Sequence, residues 1–287
     1  MNAHSPAAPE THKLDSDEFG RIAALVGETV GIKLPPQKRL MVEGRLRKRM
    51  RENGKSDLKS YCRFLFDEGG LAQEMTHLID VITTNKTDFF REPHHYELLE
   101  QVLVPDILSR RGAGKPLLKV WSGASSSGAE AYTAAMVLAE LAKKRGDFRF
   151  AILGTDISTA MLKQAQRAIY PADMIQPVPA AMQQRYLMRG TGEGRRAEVR
   201  MVPELRRLVS FRQLNLMDKA YPFDKDVDII FLRNVLIYFE RHDQEAVVAR
   251  MLSHLRPKGY LLLGHSESMA ANGAPVTQIG PSVFQKD

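Results

Sequence analysis

Residues Leu117 to Lys144 read LLKVWSGASSSGAEAYTAAMVLAELAKK and decide the fold. A short apolar segment, Leu117 to Trp121, precedes a loop of small residues and then an amphipathic stretch from Ala129 to Lys144. A strand, a small-residue loop and a helix in this order form the first part of a βαβ unit. The stretch therefore predicts a parallel sheet with helices packed on it.

The same alternation continues towards the C-terminus. Further strands are predicted at Phe150 to Thr155, Asp228 to Asn234 and Tyr260 to Gly264, with another helix at Gln244 to Leu255. Strands that alternate with helices in this way are typical of a doubly wound, Rossmann-like α/β sheet. We expect this domain to span residues 84–287.

The alternation breaks between Tyr170 and Asn215. Three short strands are predicted there, at 185–189, 198–202 and 208–213, with a glycine-containing turn after the first. Short strands separated by turn residues favour antiparallel pairing. We therefore expect a small antiparallel β subdomain inserted at 171–212.

The N-terminal part of the chain has a different pattern. From residue 15 to 83, apolar residues recur at helical spacing, for example Phe19, Ile22, Val26 and Val30. This periodicity predicts an all-α N-terminal domain over residues 15–83. The preceding residues, 1–14, are polar and contain proline, so we expect a disordered tail.

The composition limits the class of protein. The chain has 287 residues, of which 44% are hydrophobic, and a formal net charge of +7. This apolar content supports a folded core and excludes a wholly disordered chain. The positive charge fits a nucleic-acid-binding protein, a membrane-surface protein or an enzyme with an acidic partner, and does not choose among them.

Cys62 is the only cysteine, so no internal disulfide can form. Cysteine spacing gives no metal site, and we assign no metal ligands. A reducing cytoplasm fits this composition. The N-terminus lacks the apolar core of a signal peptide, and the longest apolar runs have only the length of a strand, so we expect no membrane span.

The positive charge is concentrated between Gln37 and Arg51. This segment contains seven basic residues against one acid, Glu43. Such a run is either a solvated helix face or a docking surface for an acidic partner.

Candidate ligand-binding residues follow the predicted strands, because ligands of open α/β sheets bind beyond the carboxyl ends of the strands. The loop Ser122 to Glu130 is rich in small residues that let a ligand approach the backbone. Asp156 follows the second strand, where a carboxylate can accept hydrogen bonds from ribose hydroxyls or cap the next helix. Asn215 and Asn234 follow two further strands and are either ligand contacts or turn residues.

The segment TTNKTDFFRE, Thr83 to Glu92, is the most distinctive of the chain. Two adjacent aromatic residues, Phe89 and Phe90, are followed by Arg91. This composition suits a lid over a flat, zwitterionic ligand. It also suits a linker whose phenylalanines anchor it to the core.

Six segments along the chain carry a more specific signal. They are TTNKTDFFRE (Thr83 to Glu92), VWSGASSSGAEAY (Val120 to Tyr132), TDIS (Thr155 to Ser158), RYLMRGTG (Arg185 to Gly192), FLRNVLIYF (Phe231 to Phe239) and LLLGHSES (Leu261 to Ser268). In these segments, and from about residue 15 to the C-terminus, the chain resembles the chemotaxis protein methyltransferases, the CheR family.

The resemblance implies a helical N-terminal domain, a Rossmann-like S-adenosyl-L-methionine-dependent methyltransferase domain and an inserted antiparallel β subdomain. It also implies a protein-glutamate O-methyltransferase. The enzyme would transfer a methyl group to glutamate side chains of methyl-accepting chemotaxis receptors for sensory adaptation, with S-adenosyl-L-homocysteine as the second product.

The resemblance assigns the site residues by matching positions. Arg91 and Tyr238 would lie nearest the transferred methyl group. The cofactor contacts would be Asn85, Thr87, Arg91, Glu130, Asp156, Asn215, Leu216, Arg233 and Asn234. One departure concerns the loop, where the family usually has Gly-Glu-Glu-Pro-Tyr and this chain has Gly128-Ala129-Glu130-Ala131-Tyr132.

The implied chemistry needs few catalytic groups. A glutamate side chain, with a reference pKa of ~4.3, is ionised at neutral pH and needs no general base before it attacks a methyl group. Arg91 would hold a carboxylate, of either the cofactor or the incoming glutamate, and Tyr238 would orient groups near the methyl. His94 and His95 are interpreted as surface residues of a helix.

The expected partners are the cytoplasmic helical domains of the receptors, and the inserted β subdomain could bind a receptor C-terminal tether. We expect a monomer that reaches the membrane only through its receptors. The substrate-binding residues would belong to the basic segment, namely Arg45, Arg47, Lys48, Arg49 and Arg51.

Three other functions compete with this interpretation. A catalytically silent binding module is suggested by the departures at Ala129 and Ala131, and a nucleic-acid methyltransferase by the net charge of +7. Against the latter, the chain lacks an Asn-Pro-Pro-Tyr type of base-flipping motif. A dinucleotide oxidoreductase is disfavoured because GxGxxG is missing.

Overall fold

The computed structural model describes residues 13–112, 114–190 and 197–287. Their contacts divide the chain into two compact units, with the boundary between Thr84 and Asn85. None of the helices in these ranges is both long and apolar enough to cross a membrane.

The first unit contains four described α-helices, and a short 3₁₀ turn precedes the second. Asp15 and Asp57 cap two of the helices, because each carboxylate accepts a hydrogen bond from the backbone N–H three residues later. The helices are α1 (Ser16–Val30), α2 (Arg39–Glu52), α3 (Leu58–Phe66) and α4 (Leu71–Ile82).

The expected disordered tail, 1–14, lies outside the described residues except for its last two. Of these, Leu14 is buried, and its N–H donates to the buried carboxylate of Glu43 at 3.0 Å. Leu14 therefore belongs to the helical core and not to a tail. An isolated leucine beside polar residues gives no periodic signal, which is why the sequence places it wrongly.

The second unit contains ten described strands and seven α-helices. A π-helical turn, Leu99–Leu103, joins the first two of these helices. The strands are β1 (Leu117–Gly123), β2 (Arg149–Asp156), β3 (Ile169–Pro171), β4 (Leu187–Arg189), β5 (Glu198–Met201), β6 (Val209–Gln213), β7 (Val227–Leu232), β8 (Leu255–Leu263), β9 (Val276–Gly280) and β10 (Val283–Lys286). The helices are α5 (His94–Leu98), α6 (Val104–Ser109), α7 (Ala129–Arg145), α8 (Thr159–Arg167), α9 (Ala180–Tyr186), α10 (Pro203–Arg206) and α11 (Arg241–His254).

Seven strands form the main sheet in the order β6-β2-β1-β7-β8-β10-β9. Neighbours from β6 to β8 are parallel, and β10 is antiparallel to β8 and β9. The chain runs outward from β1 through β2 to β6 and then returns to β7 on the other side of β1. The strand order therefore reverses between β1 and β7, and the carboxyl ends of five parallel strands meet at one edge.

A second, three-stranded antiparallel sheet has the order β3-β5-β4. It confirms the predicted antiparallel subdomain, but one of the three strands predicted for that subdomain lies in the main sheet instead. The predicted strand at 208–213 belongs to the main sheet, where Val209 to Gln213 pair in parallel with Ile152 to Asp156 of β2. Local sequence shows that a strand forms here. It does not show its partner, because parallel pairing depends on residues distant in the chain.

Candidate active site

The loop after β1 has an unusual backbone. Ala124 and Ser126 have φ values of 53° and 50°, and Gly128 has a φ of 86°. A Cβ at Gly128 would lie 2.9 Å from both Ala165 Cβ and Phe211 Cζ, so only glycine fits. Left-handed non-glycine residues cost free energy and concentrate at binding sites. The loop is therefore a candidate ligand cradle, as its composition predicts.

Asp156, at the end of β2, holds this loop in place. The buried carboxylate accepts a hydrogen bond from Ser126 N–H at 2.7 Å and another from Ser158 N–H at 2.9 Å. The cap of α8 is Ser158, whose hydroxyl accepts from Met161 N–H. Asp156 therefore links the loop after β1 to the residues that follow β2. It is not the cap of α8, which is Ser158. Its ribose contact stays a prediction.

Arg233, directly after β7, is the centre of a buried charge cluster. Its side chain is 1% exposed and lies 3.3 Å from a carboxylate oxygen of Glu130 and 3.3 Å from one of Glu92. Glu130 also accepts a hydrogen bond from the Ser122 hydroxyl at 2.7 Å. Burial raises the pKa of Glu130, and the charge of Arg233 opposes this rise.

Arg233 makes two further contacts that fix its position. One guanidinium nitrogen donates to the Tyr96 hydroxyl at 3.2 Å, and another donates to the Arg91 carbonyl. A guanidinium with these partners cannot reorient towards a ligand without breaking them. Arg233 therefore holds its neighbours in position in this structure, and the cofactor contact that the resemblance assigns to it stays a prediction.

Asn234 joins the ends of β7 and β8. Its backbone has a φ of 59°, its N–H donates to Glu267 at 2.7 Å, and its side-chain amide donates to Glu92 at 3.1 Å. Glu267 also accepts from Gly264 N–H at 2.8 Å and from Ile237 N–H at 3.3 Å. A Cβ at Gly264 would lie 2.5 Å from Glu267, so the close approach requires glycine.

The segment after the helical unit is anchored by its phenylalanines. Phe89 is 1% exposed and packs edge-to-face on Tyr170 with ring centroids 5.0 Å apart. The ring of Phe90 lies 5.6 Å from that of Tyr96, and its N–H donates to Thr133. Phe89 therefore anchors the segment to the core of this unit, whereas a lid over a ligand stays a prediction for the segment.

This anchoring brings Asn85, one of the predicted cofactor contacts of the segment, to the loop. The Asn85 carbonyl accepts a hydrogen bond from the Ser126 hydroxyl at 2.8 Å. Thr87 and Arg91 are half-buried, and the Arg91 guanidinium donates to the Lys86 carbonyl at 3.3 Å.

The remaining predicted site residues follow β6 and β7. The Asn215 amide oxygen accepts from Met217 N–H at 3.0 Å, and the carbonyl of buried Leu216 accepts from the Tyr221 hydroxyl at 2.8 Å. Tyr238 is half-buried in a 3₁₀ turn, Leu236–Tyr238. All lie in connections that leave the carboxyl edge of the sheet, where the cradle loop lies.

The basic segment belongs to the other unit, and two of its arginines assigned to substrate binding, Arg45 and Arg49, have partners on α4 or directly after it. Arg45 donates to the Ile82 and Thr83 carbonyls, and Arg49 pairs with the buried carboxylate of Glu74. Arg45 and Arg49 are therefore bound within the helical unit, and the assignment of the five basic residues to substrate binding stays a prediction. The periodicity of α2 places charges around the helix but does not show which of them meet an acid from α4.

The interpretation of the two histidines as surface residues is half right. His94 is 45% exposed, whereas His95 is fully buried and its Nε2 lies 3.4 Å from the Pro281 carbonyl oxygen. Burial, and then the charge of Arg233, lowers the pKa of His95 to about 4. Sequence reasoning therefore missed His95 as well as its neighbours Glu92 and His265.

The departures at Ala129 and Ala131 lie on the buried face of α7. Both side chains are completely buried in the core of the second unit. The hydroxyl of Thr133 donates to the Ala129 carbonyl at 2.7 Å and supports the first turn of the helix. Small apolar residues therefore fit these two positions without distorting the cradle loop.

The strand order, the strained loop after β1 and the buried acid after β2 define the Rossmann-like class of S-adenosyl-L-methionine-dependent methyltransferases. Residues 85–283 match the family described as CheR methyltransferase, SAM binding domain, and residues 17–83 match CheR methyltransferase, all-alpha domain. The chain belongs to the CheR methyltransferase family, and its cofactor is S-adenosyl-L-methionine.

Curated relatives are similar over almost the full length. A chemotaxis protein methyltransferase of Borreliella burgdorferi is 35% identical, with 96% of this chain and 95% of that protein covered. Its counterpart in Escherichia coli is 37% identical, with 94% and 91% covered. Chemotaxis protein methyltransferase 2 of Pseudomonas aeruginosa is 34% identical, with 93% and 92% covered.

Proposed function

We propose that this enzyme methylates glutamate side chains of chemotaxis receptors and forms glutamate methyl esters. The observation that carries the proposal is the cradle at the carboxyl edge of the sheet, in a chain that belongs to the CheR family. Asp156 holds the strained loop there, and Asn85 lies against the same loop.

The residues present fit the cofactor. Asp156 is buried at the end of the second strand, the position at which a carboxylate can accept hydrogen bonds from a ribose. Gly128 lets the backbone bend tightly before α7, whose N-terminus carries a positive dipole. Bound S-adenosyl-L-methionine supplies an electrophilic methyl group on a sulfonium.

The reaction fits a site without a general base. A glutamate carboxylate carries no proton at neutral pH, so no residue of the protein would have to remove one before methyl transfer. The protein then has to position the carboxylate and exclude water. Arg91 would hold a carboxylate, and the Tyr238 hydroxyl would orient groups at the methyl. Arg233 would fix this region through the Arg91 carbonyl.

The exposed part of the basic helix would dock the acidic receptor bundle. Arg47, Lys48 and Arg51 are exposed, and Lys48 is 74% exposed. We propose these three residues as the docking charges, whereas Arg45 and Arg49 hold the helical unit together. Contacts between exposed charges weaken as added salt shortens the Debye length from about 10 Å at 0.1 M to about 3 Å at 1 M. A receptor tether at the small antiparallel sheet is a second proposed contact.

The reaction is tested by incubating the protein with methyl-labelled cofactor and receptor-containing membranes. We expect label on the receptor that is released as methanol by base, as for a carboxyl methyl ester. Label in nucleic acid, or base-stable label on protein, would contradict the proposal.

The docking face is tested by a double charge reversal, Arg47→Glu with Arg51→Glu. The matched control is Lys143→Glu with Lys144→Glu, which makes the same change in net charge at two exposed positions of α7. At low salt, receptor methylation should fall only in the first variant, and cofactor affinity should stay unchanged in both. Equal methylation by the two variants would assign receptor recognition to another surface.

A further inference from the structure

We propose that Glu92, His95 and His265 form a binding site for a divalent transition-metal ion. One ligand atom from each side chain lies within 4.8 Å of the other two. Within residues 13–112, 114–190 and 197–287, this is the only such group of three histidine, cysteine or acidic side chains. The sequence alone did not indicate any metal ligands in this chain.

Two buried polar atoms of this group have no hydrogen-bond partner. They are Nδ1 of His95 and Oε2 of Glu92, and they face each other at 3.4 Å. His95 is fully buried, so water does not reach its ring. A buried acceptor without a partner is costly, and such atoms in a native structure indicate a missing ligand or proton.

A neutral His95 ring cannot satisfy both of its neighbours. Its Nε2 lies 3.4 Å from the Pro281 carbonyl and its Nδ1 lies 3.4 Å from Oε2 of Glu92; both neighbours only accept, and the ring has one N–H for the two of them. With the proton on Nε2, Nδ1 presents a lone pair to Oε2 of Glu92, which also lies 3.3 Å from the guanidinium of Arg233. A metal ion between them would be bound by both, and Pro281 would orient the ring, as outer partners of metal-bound histidines commonly do.

The distances suit a small tetrahedral ion. Metal–nitrogen and metal–oxygen bonds of about 2.0–2.2 Å place neighbouring tetrahedral ligands roughly 3.3–3.6 Å apart. Oε2 of Glu92 is 3.4 Å from His95 Nδ1 and 3.9 Å from His265 Nε2. All three atoms lie within 4.8 Å of one another, so a movement of the exposed His265 side chain towards the other two would give the spacing that one ion requires.

The surrounding charge favours a divalent cation. Arg233 and Asn234 join three carboxylates, those of Glu92, Glu130 and Glu267, to one guanidinium. With all three carboxylates ionised and the imidazoles neutral, this cluster has a formal charge of −2, and the cost of that charge is reflected in the raised pKa of Glu130 and of Glu267, which burial causes. Arg233 repels an added cation, but it offsets only one of the three negative charges. A divalent ion would bring the formal charge of the cluster to zero.

The donor atoms of the three side chains indicate which metal ions the site would bind. Two imidazoles and one carboxylate suit Zn²⁺, Ni²⁺ or Co²⁺, whereas Mg²⁺ and Ca²⁺ prefer oxygen ligands. His265 is 53% exposed, so an ion can enter from solvent and a fourth ligand can be water. The proposal does not depend on the methyl acceptor, since it concerns binding and not turnover.

Equilibrium dialysis of untagged full-length protein against Zn²⁺ tests the site. We expect one Zn²⁺ per chain, without competition from Mg²⁺. His265→Ala removes an exposed ligand, so the fold should survive, and Zn²⁺ affinity should fall at least about tenfold. His94→Ala removes a half-exposed imidazole in the same region and is the matched control, with unchanged affinity.

Co²⁺ gives a second measurement that does not depend on activity. The wild type and His94→Ala should show the strong visible absorption of four- or five-coordinate Co²⁺, and His265→Ala should lose it. Failure of the wild type to bind Zn²⁺ would overturn the proposal and favour a proton shared between His95 and Glu92. Equal binding by wild type and His265→Ala would also overturn it.

Discussion

Arg49 in the helical unit and Arg233 in the second unit each lie between two carboxylates, but the Arg49 side chain is 13% exposed and that of Arg233 is 1% exposed. In the helical unit, Arg49 donates to Glu74 through two nitrogens, and Glu74 also accepts from the Tyr61 hydroxyl at 2.9 Å. In the second unit, Arg233 lies between Glu130 and Glu92. The hydrogen bonds of the Arg49 network lie within the helical unit. The Arg233 network includes Glu130 and the Arg91 carbonyl, and both of these residues belong to the predicted cofactor site.

The two networks differ in whether their buried polar atoms all have a hydrogen-bond partner. Among the described residues, buried atoms without a hydrogen-bond partner include Nε of Arg233, Oε2 of Glu92 and Nδ1 of His95, but none of Arg49, Glu74 or Tyr61. A network that only stabilises the fold can satisfy every group. A network beside a binding site keeps unsatisfied groups that a ligand can bind. The comparison teaches that burial of charge alone does not identify a functional site.

The largest expected effect comes from Arg233→Leu. Removing one partner from a buried charge cluster leaves Glu130 and Glu92 without their counter-charge, which costs about 3–5 kcal/mol. Urea denaturation should show this loss. Arg241→Leu, at a position that is 67% exposed, is the control and should change stability by less than about 0.5 kcal/mol. A similar small change in Arg233→Leu would show that the cluster is open to water.

Arg49→Met should cost less, about 1.5–3 kcal/mol, because Glu74 keeps its hydrogen bond from Tyr61. Far-UV circular dichroism during urea denaturation measures the effect. Lys48→Met, on the neighbouring exposed position, should be nearly neutral. Cofactor affinity should not change in either variant, and a loss of affinity in Arg49→Met would argue against a purely stabilising network.

Asp156→Ala tests whether the second unit holds a ligand as proposed. It removes the predicted ribose acceptor, worth roughly 1.5–3 kcal/mol for a charged hydrogen bond, so cofactor affinity should fall at least about tenfold. Isothermal calorimetry measures the affinity, and circular dichroism checks the fold. Unchanged affinity in a folded variant would restrict Asp156 to its hydrogen bonds with Ser126 and Ser158.

Tyr238→Phe should have a smaller and more selective effect. The ring is kept and only the hydroxyl is lost, so turnover should fall by about tenfold while cofactor affinity changes little. Steady-state methylation together with calorimetry separates the two. Normal turnover would remove the hydroxyl from the proposed mechanism.

The smallest effect concerns pH. Burial opposes ionisation of Glu74, but hydrogen bonds from Arg49 and Tyr61 outweigh it and lower the pKa of Glu74 below 4.5. A lowered carboxyl pKa adds stability above the unfolded pKa, and this stability is lost as pH falls through the folded pKa. The stability difference between wild type and Glu74→Gln should therefore shrink below about pH 4.5. A difference that stays constant with pH would exclude the ion pair as its source.

Much of the fold follows from local patterns. The strand and helix after Leu117 are predicted within a few residues, because a short apolar run, a loop of small residues and a longer run of helix-forming residues differ in length and composition. One-sided burial is not the reason, since the helix α7 buries every residue from Ala131 to Leu138. The patterns failed for β9 and β10, which carry little alternation. They also gave the 208–213 strand a wrong partner, since pairing depends on distant residues.

The candidate site, like the fold, was only partly predictable from the sequence. The sequence indicates which residues lie at the ends of strands, and Asp156 and Asn234 were found by that rule. It does not reveal that Arg233 is closed in by Tyr96 and two carboxylates, because these partners come from separate segments. The resemblance names Arg233, but only the packing shows that it holds other groups in position.

By itself, the sequence determined the two-part architecture, the loop after β1 and the family to which the chain belongs, because these depend on local periodicity and on contiguous motifs. Only the tertiary structure decided which charges are buried and which atoms face each other. Glu92, His95 and His265 come together because the ends of β7 and β8 are joined through Asn234 and Glu267. A spatial cluster built from segments far apart in the chain has no periodic signal in the sequence.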